Sequence, residues 1–134
     1  MGWEIEMTAG VVSWYRALDG ESATRVAVAL DRLEQRGPGL GRPFVDSVKG
    51  SRHHNMKELR SIGGNLRVLF AFDPRRRAIV LVGGDKTNDW RGWYARSIPV
   101  ADRLYDNHLR SIRGGGRSWQ RGREAGGRYE PSAR

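Results

Sequence analysis

The chain has 134 residues, with 24 Lys and Arg against 15 Asp and Glu, no cysteine and a net charge of +9. That length suits one domain, the missing thiols exclude disulfides and thiolate metal sites, and no apolar run approaches the roughly 18 residues of a membrane span. With acids rather than cations in its opening residues, MGWEIEMTAG, the chain reads as cytoplasmic and without a signal peptide.

Trp3 to Met7 alternates apolar and acidic residues, the period of a strand with one solvated face. Thr8 can then cap a short helix carrying Val11, Val12, Trp14, Tyr15 and Leu18, which Asp19-Gly20 breaks. Ser22 to Arg36 reads as a second helix with Val26, Leu30 and Leu33 on one stripe, stopped by Gly37-Pro38. Residues 37–55 are rich in Gly, Pro and polar side chains and read as loop, with room for a short strand between Phe44 and Val48.

Three strands follow within residues 56–86. Leu66 to Phe72 and Ala78 to Val82 are apolar on both alternating faces, as strands covered on two sides are. Their links, Ile62-Gly63-Gly64-Asn65 and Asp73-Pro74-Arg75-Arg76-Arg77, are hairpin-like and too short for parallel crossovers. A final helix carries Trp90, Trp93, Tyr94, Ala101, Leu104, Tyr105, His108 and Leu109 at helical spacing, and Pro99 should kink it or split it after Arg96. The expected fold is therefore α+β over residues 1–113: a small antiparallel sheet with an N-terminal helical hairpin and a C-terminal helix packed on it. Residues 114–134 form a Gly/Arg-rich tail without periodicity and are expected to be disordered.

Residues 1–113 still hold 19 basic and 13 acidic side chains, so the domain itself is basic. Such charge attracts phosphates in a salt-sensitive way but names no function. More specific is Arg67, a cation on a strand that otherwise reads as buried, where an unpaired charge is costly. Lys57, Glu58 and Arg60 interrupt the preceding strand, and Lys86 follows a glycine pair at the end of the next. Cations projected from adjacent strands suit an anion, and the net charge suggests nucleic acid.

The elements Met56-Lys57-Glu58-Leu59-Arg60, Leu66 to Phe72, Gly83-Gly84-Asp85-Lys86, and Trp93-Tyr94 through Ile98-Pro99, Ala101-Asp102 and Leu104-Tyr105-Asp106 resemble, in order and spacing, the RelE/HigB superfamily of toxins. Within it they are most similar to the phage-derived HigB-like branch, and the resemblance covers about residues 3–112. It implies a RelE-like fold and the toxin of a type II toxin–antitoxin system. The activity implied is endoribonuclease cleavage of mRNA, often on the ribosome, by metal-independent attack of the 2′-OH. It also implies a cognate antitoxin protein, often of helix-turn-helix type, and no cofactor. By resemblance Arg67 matches the phosphate-contacting arginine, while Arg60 and Lys86 match further cationic positions; the alternatives are an Arg67 paired with an acid such as Glu58, a structural ion pair for Arg60 and a solvated turn lysine for Lys86.

Adjacent strand residues point to opposite faces, so only one of Lys57 and Glu58 can share Arg67's cleft. The preference falls on Lys57; Glu58 remains open as a general base or as an acid that orients Arg60 and Arg67. His53 and His54, in the preceding loop, suit proton transfer or RNA contact, or are an inert surface pair. Arg75, Arg76 and Arg77 read as a solvated or RNA-docking turn, and the aromatic residues of the last helix as core. Two rival functions stay open: a ParE-like gyrase inhibitor of the same fold, and a basic RNA-binding module without turnover.

Overall fold

The computed structural model describes residues 2–114 and 126–128. Strand β1 (Glu4–Thr8) leads directly into helix α1 (Ala9–Arg16), and helix α2 (Gly20–Arg36) follows. Thr8 makes the first junction: its hydroxyl accepts the Val11 N–H at 3.3 Å and donates to the Leu81 carbonyl at 2.9 Å. Asp19 makes the second, accepting the Ser22 N–H at 2.7 Å, so α2 starts two residues earlier than its apolar stripe suggests. The helix ends at Gly37, whose φ of +54° favours glycine. A Cβ there would lie 2.3 Å from the Trp3 indole, which packs over the turn.

After a 3-10 turn at Gly37–Gly39 come β2 (Val45–Ser47), β3 (Lys57–Arg60), β4 (Leu66–Phe72) and β5 (Arg77–Asp85), then the long helix α3 (Trp90–Gly114) and a short strand β6 (Gly126–Arg128). The sheet order is β2-β3-β4-β5-β1-β6. From β2 to β5 every pairing is antiparallel, whereas β1 joins β5 in parallel, making the sheet mixed. The chain between β1 and β5 is long enough for the crossover that a parallel pair requires. Apart from β6, which pairs with β1, the tail expected to be disordered lies outside the described residues.

The two apolar faces of β4 are each covered by helices. Leu66, Val68 and Phe70 pack with Val11, Val26, Leu30 and Leu33 on the α1/α2 side. Leu69 and Ala71 pack with Trp93, Ile98, Ala101 and Tyr105 on the α3 side. Between Leu69 and Phe70 the register slips by one residue and leaves Leu81 unpaired in β5, a bulge. Leu81 and Val82 consequently both face α3, and beyond them Gly83 meets Trp14 and Gly84 meets Trp93.

Helix α3 runs unbroken through Pro99, so of the two expectations, a kink or a split after Arg96, the split is excluded. Pro99 is exposed, as is Ala95, whose carbonyl loses its helical partner and can turn to water. Ile98 and Ala101, buried against the sheet, hold the segments on either side of it to one surface.

Candidate active site

Sheet register decides which charged residues meet. Arg60 stands opposite Arg67, Arg67 opposite Gly84, and Glu58 opposite Leu69, so Glu58, Arg60 and Arg67 all face α3. Lys57 stands opposite Phe70 and faces α1/α2. The preference for Lys57 in Arg67's cleft is therefore corrected: no bulge lies in β3, alternation holds, and Glu58 shares that face.

Glu58 is 5% exposed and gathers its neighbours. Arg60 donates to Glu58 Oε2 from Nε at 3.0 Å and from Nη2 at 2.8 Å, and Nη2 also reaches Asp46 Oδ2 at 3.2 Å. The Tyr94 hydroxyl donates to Glu58 Oε1. Burial first, then the Glu58 carboxylate, pushes the Tyr94 phenol up to about 12, while the Arg67 charge pulls it the other way. The phenol is thus protonated at neutral pH and available as a donor.

Arg67 has a different environment. Glu58, its anticipated ionic partner, is taken by Arg60. Arg67 Nη1 donates to the Leu66 carbonyl at 3.0 Å and the Gly64 carbonyl at 3.2 Å, which fixes the plane of the guanidinium. Its Nε is buried and has no hydrogen-bond partner among the described residues. A buried donor left unsatisfied costs about 1–3 kcal/mol, and more when charged. An anion's oxygen would remove that cost and match the planar fork of donors.

Gly84, across from Arg67, is what lets Trp93 lie on the sheet: a Cβ there would fall 2.1 Å from the indole Nε1. Gly84→Ala should therefore push Trp93 off the sheet and lower stability by about 1–3 kcal/mol. An unchanged denaturation midpoint with unchanged tryptophan emission would contradict that contact. Lys86 leaves the end of β5, just past the rung where Arg67 meets Gly84, and its N–H is held by the Asn65 carbonyl at 3.0 Å. Its side chain is half-buried and makes no ion pair among the described residues.

The remaining candidates lie elsewhere. His53 Nε2 bonds Asp106 Oδ1 at 2.7 Å, and the His53 ring meets Tyr105 edge-on at 4.9 Å. The loop is pinned further by Asp102, which accepts the Ser51 hydroxyl at 2.5 Å and the Arg52 N–H at 2.9 Å. Asp106 lies twelve residues beyond Tyr94 on α3, about 18 Å along the helix, so His53 is not brought to Arg67. His54 is exposed beside it. The three-arginine turn is at the far end of β4, about 17 Å from Arg67. It is also not one solvated patch. Arg75 is exposed and Arg76 lies 4.6 Å over the Trp3 ring, but Arg77 is buried, paired with Asp73 at 3.2 Å and Glu6 at 2.8 Å. No cluster of ligands able to hold a metal occurs among the described residues.

Two members of the site escaped the sequence reading. Tyr94 has the spacing of an apolar stripe, and Asp46 lies in a stretch rich in Gly, Pro and polar residues, so neither shows in the sequence that it meets Glu58 or Arg60. The i, i+2 relation of Glu58 and Arg60 on a strand was the available signal.

Residues 13–106 match the family described as phage-derived protein Gp49-like (DUF891). The chain belongs to the Gp49-like family. Among its relatives is a Mycobacterium tuberculosis (strain ATCC 25618 / H37Rv) protein named "Putative toxin HigB3", 52% identical over 106 residues, which covers 79% of this chain and 93% of the relative. A second protein of that organism, named "Putative toxin HigB2", is 46% identical over 112 residues, 81% of this chain and 55% of the relative. The HigB-like resemblance read from the strand motifs is thus borne out, and this Gp49-like chain spans nearly the whole of one named relative and about half of the other. None of its described helices is long and apolar enough to cross a membrane.

Proposed function

We propose that this Gp49-like protein is the toxin of a type II toxin–antitoxin pair, an endoribonuclease that cleaves mRNA and is held inactive by a cognate antitoxin. The observation that carries the reading is Arg67, a rigidly held guanidinium with a buried, unpartnered N–H beside a carboxylate–phenol pair. Arg67 and Lys86 hold the scissile phosphate and stabilise the extra charge of its pentacoordinate state. Tyr94 takes the 2′-hydroxyl proton as it passes its own to Glu58. The 2′ oxygen bonds to phosphorus, the bond to the 5′ oxygen breaks, and Lys86 supplies the proton that oxygen needs. Arg60 and Asp46 orient Glu58 and lie outside the reacting atoms. Restriction of this chemistry to ribosome-bound mRNA, and a helix-turn-helix antitoxin, belong to the same proposal and are supported by the family resemblance.

The pairing of Arg60 with Glu58 and Asp46 favours a rival, since it removes one cation and one carboxylate from free availability. On that rival reading the chain binds RNA without turnover. Expression of the protein alone, without an antitoxin, separates the two. Growth arrest with loss of intact mRNA and new internal 5′ ends is expected. Normal growth at confirmed soluble expression, with no new ends, would overturn the nuclease.

A further inference from the structure

Trp90 is 54% exposed, more than any other large apolar side chain among the described residues. A single exposed apolar side chain is ordinary on a protein surface, and Ile62 is 52% exposed as well, so it is the neighbours of Trp90 that give its position meaning. It opens α3 one turn ahead of Tyr94, whose ring it meets edge-on at 6.4 Å. The Arg91 guanidinium lies over one face of its ring, 5.3 Å from the centre. Tyr94 is the residue that bonds Glu58 and feels the Arg67 charge, so a single ring separates Trp90 from the anion-binding candidate. The turn that delivers Trp90 starts at Lys86, whose carbonyl accepts the Asp89 N–H at 3.2 Å.

An exposed aromatic plane beside an unpaired guanidinium and a lysine combines the two features that hold single-stranded nucleic acid: a π-surface for a base and cations for the backbone. We propose that Trp90 is the stacking platform for a nucleobase of single-stranded RNA adjoining the phosphate that Arg67 holds, the base taking the face of the indole opposite Arg91. The inference rests on the RNA-cleaving reading of the Arg67 site and names its base subsite. Stacking uses the face of a base, not its edge, so the platform admits any base but only from an unpaired strand, because a duplex hides those faces. The site then selects single-stranded segments without reading much sequence at this position.

The test is fluorescence anisotropy on the full chain with two labelled probes of equal length. One is a single-stranded RNA made uncleavable by 2′-O-methylation, and the other is its abasic counterpart with the same phosphates. Trp90→Ala should weaken RNA binding roughly 5- to 150-fold and leave abasic binding unchanged, while Trp90→Phe keeps most of the affinity. Arg67→Ala should weaken both. RNA binding by Trp90→Ala equal to wild type would overturn the platform and favour a protein partner for this surface. A wild-type protein that binds RNA no better than the abasic probe would also overturn it, with the Arg67 site left standing. Binding of neither probe by the wild type would overturn the platform, while the nuclease reading falls only if expression of the protein alone produces no new mRNA ends.

Discussion

Replacing Arg67 with alanine should abolish RNA cleavage and leave the fold standing. Removal of one preorganised donor from a developing charge typically costs about 100–1000-fold in rate. Stability should change little for a specific reason. The Arg67 side chain bonds two carbonyls of its own hairpin and lies against the Tyr94 hydroxyl, and Glu58, the carboxylate that might have been stranded, is held by Arg60 and Tyr94. The opposite pattern, undiminished cleavage or a collapse of the melting transition, would remove Arg67 from the chemistry. Arg60→Ala is the informative contrast. It strands the buried Glu58, so it should cost stability as well as activity.

The largest stability loss is expected from Asp73→Ala, at the other end of the sheet. The Asp73 side chain is fully buried and accepts the Arg75 and Arg77 N–H groups at 2.9 Å each. It also accepts Arg77 Nε at 3.2 Å and His108 Nε2 at 2.8 Å. Arg77 in turn reaches Glu6 at 2.8 Å, so one carboxylate ties β1, the β4–β5 turn and α3 together. Removing it leaves a buried guanidinium underpaired, which should destabilise by about 3–5 kcal/mol, measured by denaturant unfolding. Burial opposes the charged form of Asp73, but the His108 hydrogen bond and then Arg77 outweigh it and hold its pKa below the usual 3.8. A carboxyl depressed on folding adds stability that is complete above its unfolded value and is lost as pH falls through the folded one. Wild-type stability should therefore drop below about pH 4, and Asp73→Asn, less stable at neutral pH, should show a flatter acid limb. Equal acid limbs would remove Asp73 from that dependence.

Much of the fold could be read from periodicity, because burial on one or two faces writes itself into spacing. The apolar runs of β4 and β5 announced helices on both sides, and Val26, Leu30 and Leu33 announced the inner face of α2. What spacing could not convey was pairing. Whether Lys57 or Glu58 meets Arg67 depends on which residue of β4 each opposes, and Arg77 looked solvated until Asp73 and Glu6 closed on it. Tyr94 was invisible for another reason. A tyrosine carries an apolar ring and a polar tip, so the same residue satisfies the α3 stripe and delivers a hydroxyl to Glu58. Pro99 shows the converse, a helix kept continuous through a proline where the affected carbonyl faces solvent and packing holds both segments.

The chemistry of the cut ends tests the central claim most directly. Attack by the 2′-hydroxyl leaves a 2′,3′-cyclic phosphate on one fragment and a 5′-hydroxyl on the other, and the mechanism built on Arg67, Lys86, Tyr94 and Glu58 requires no metal ion. End-specific ligation of RNA recovered after induction, repeated with purified protein and isolated ribosomes, should find 5′-hydroxyl ends in both preparations, with none from Arg67→Ala. Fragments with 5′-phosphate ends, or 5′-hydroxyl ends produced undiminished by Arg67→Ala, would contradict the account.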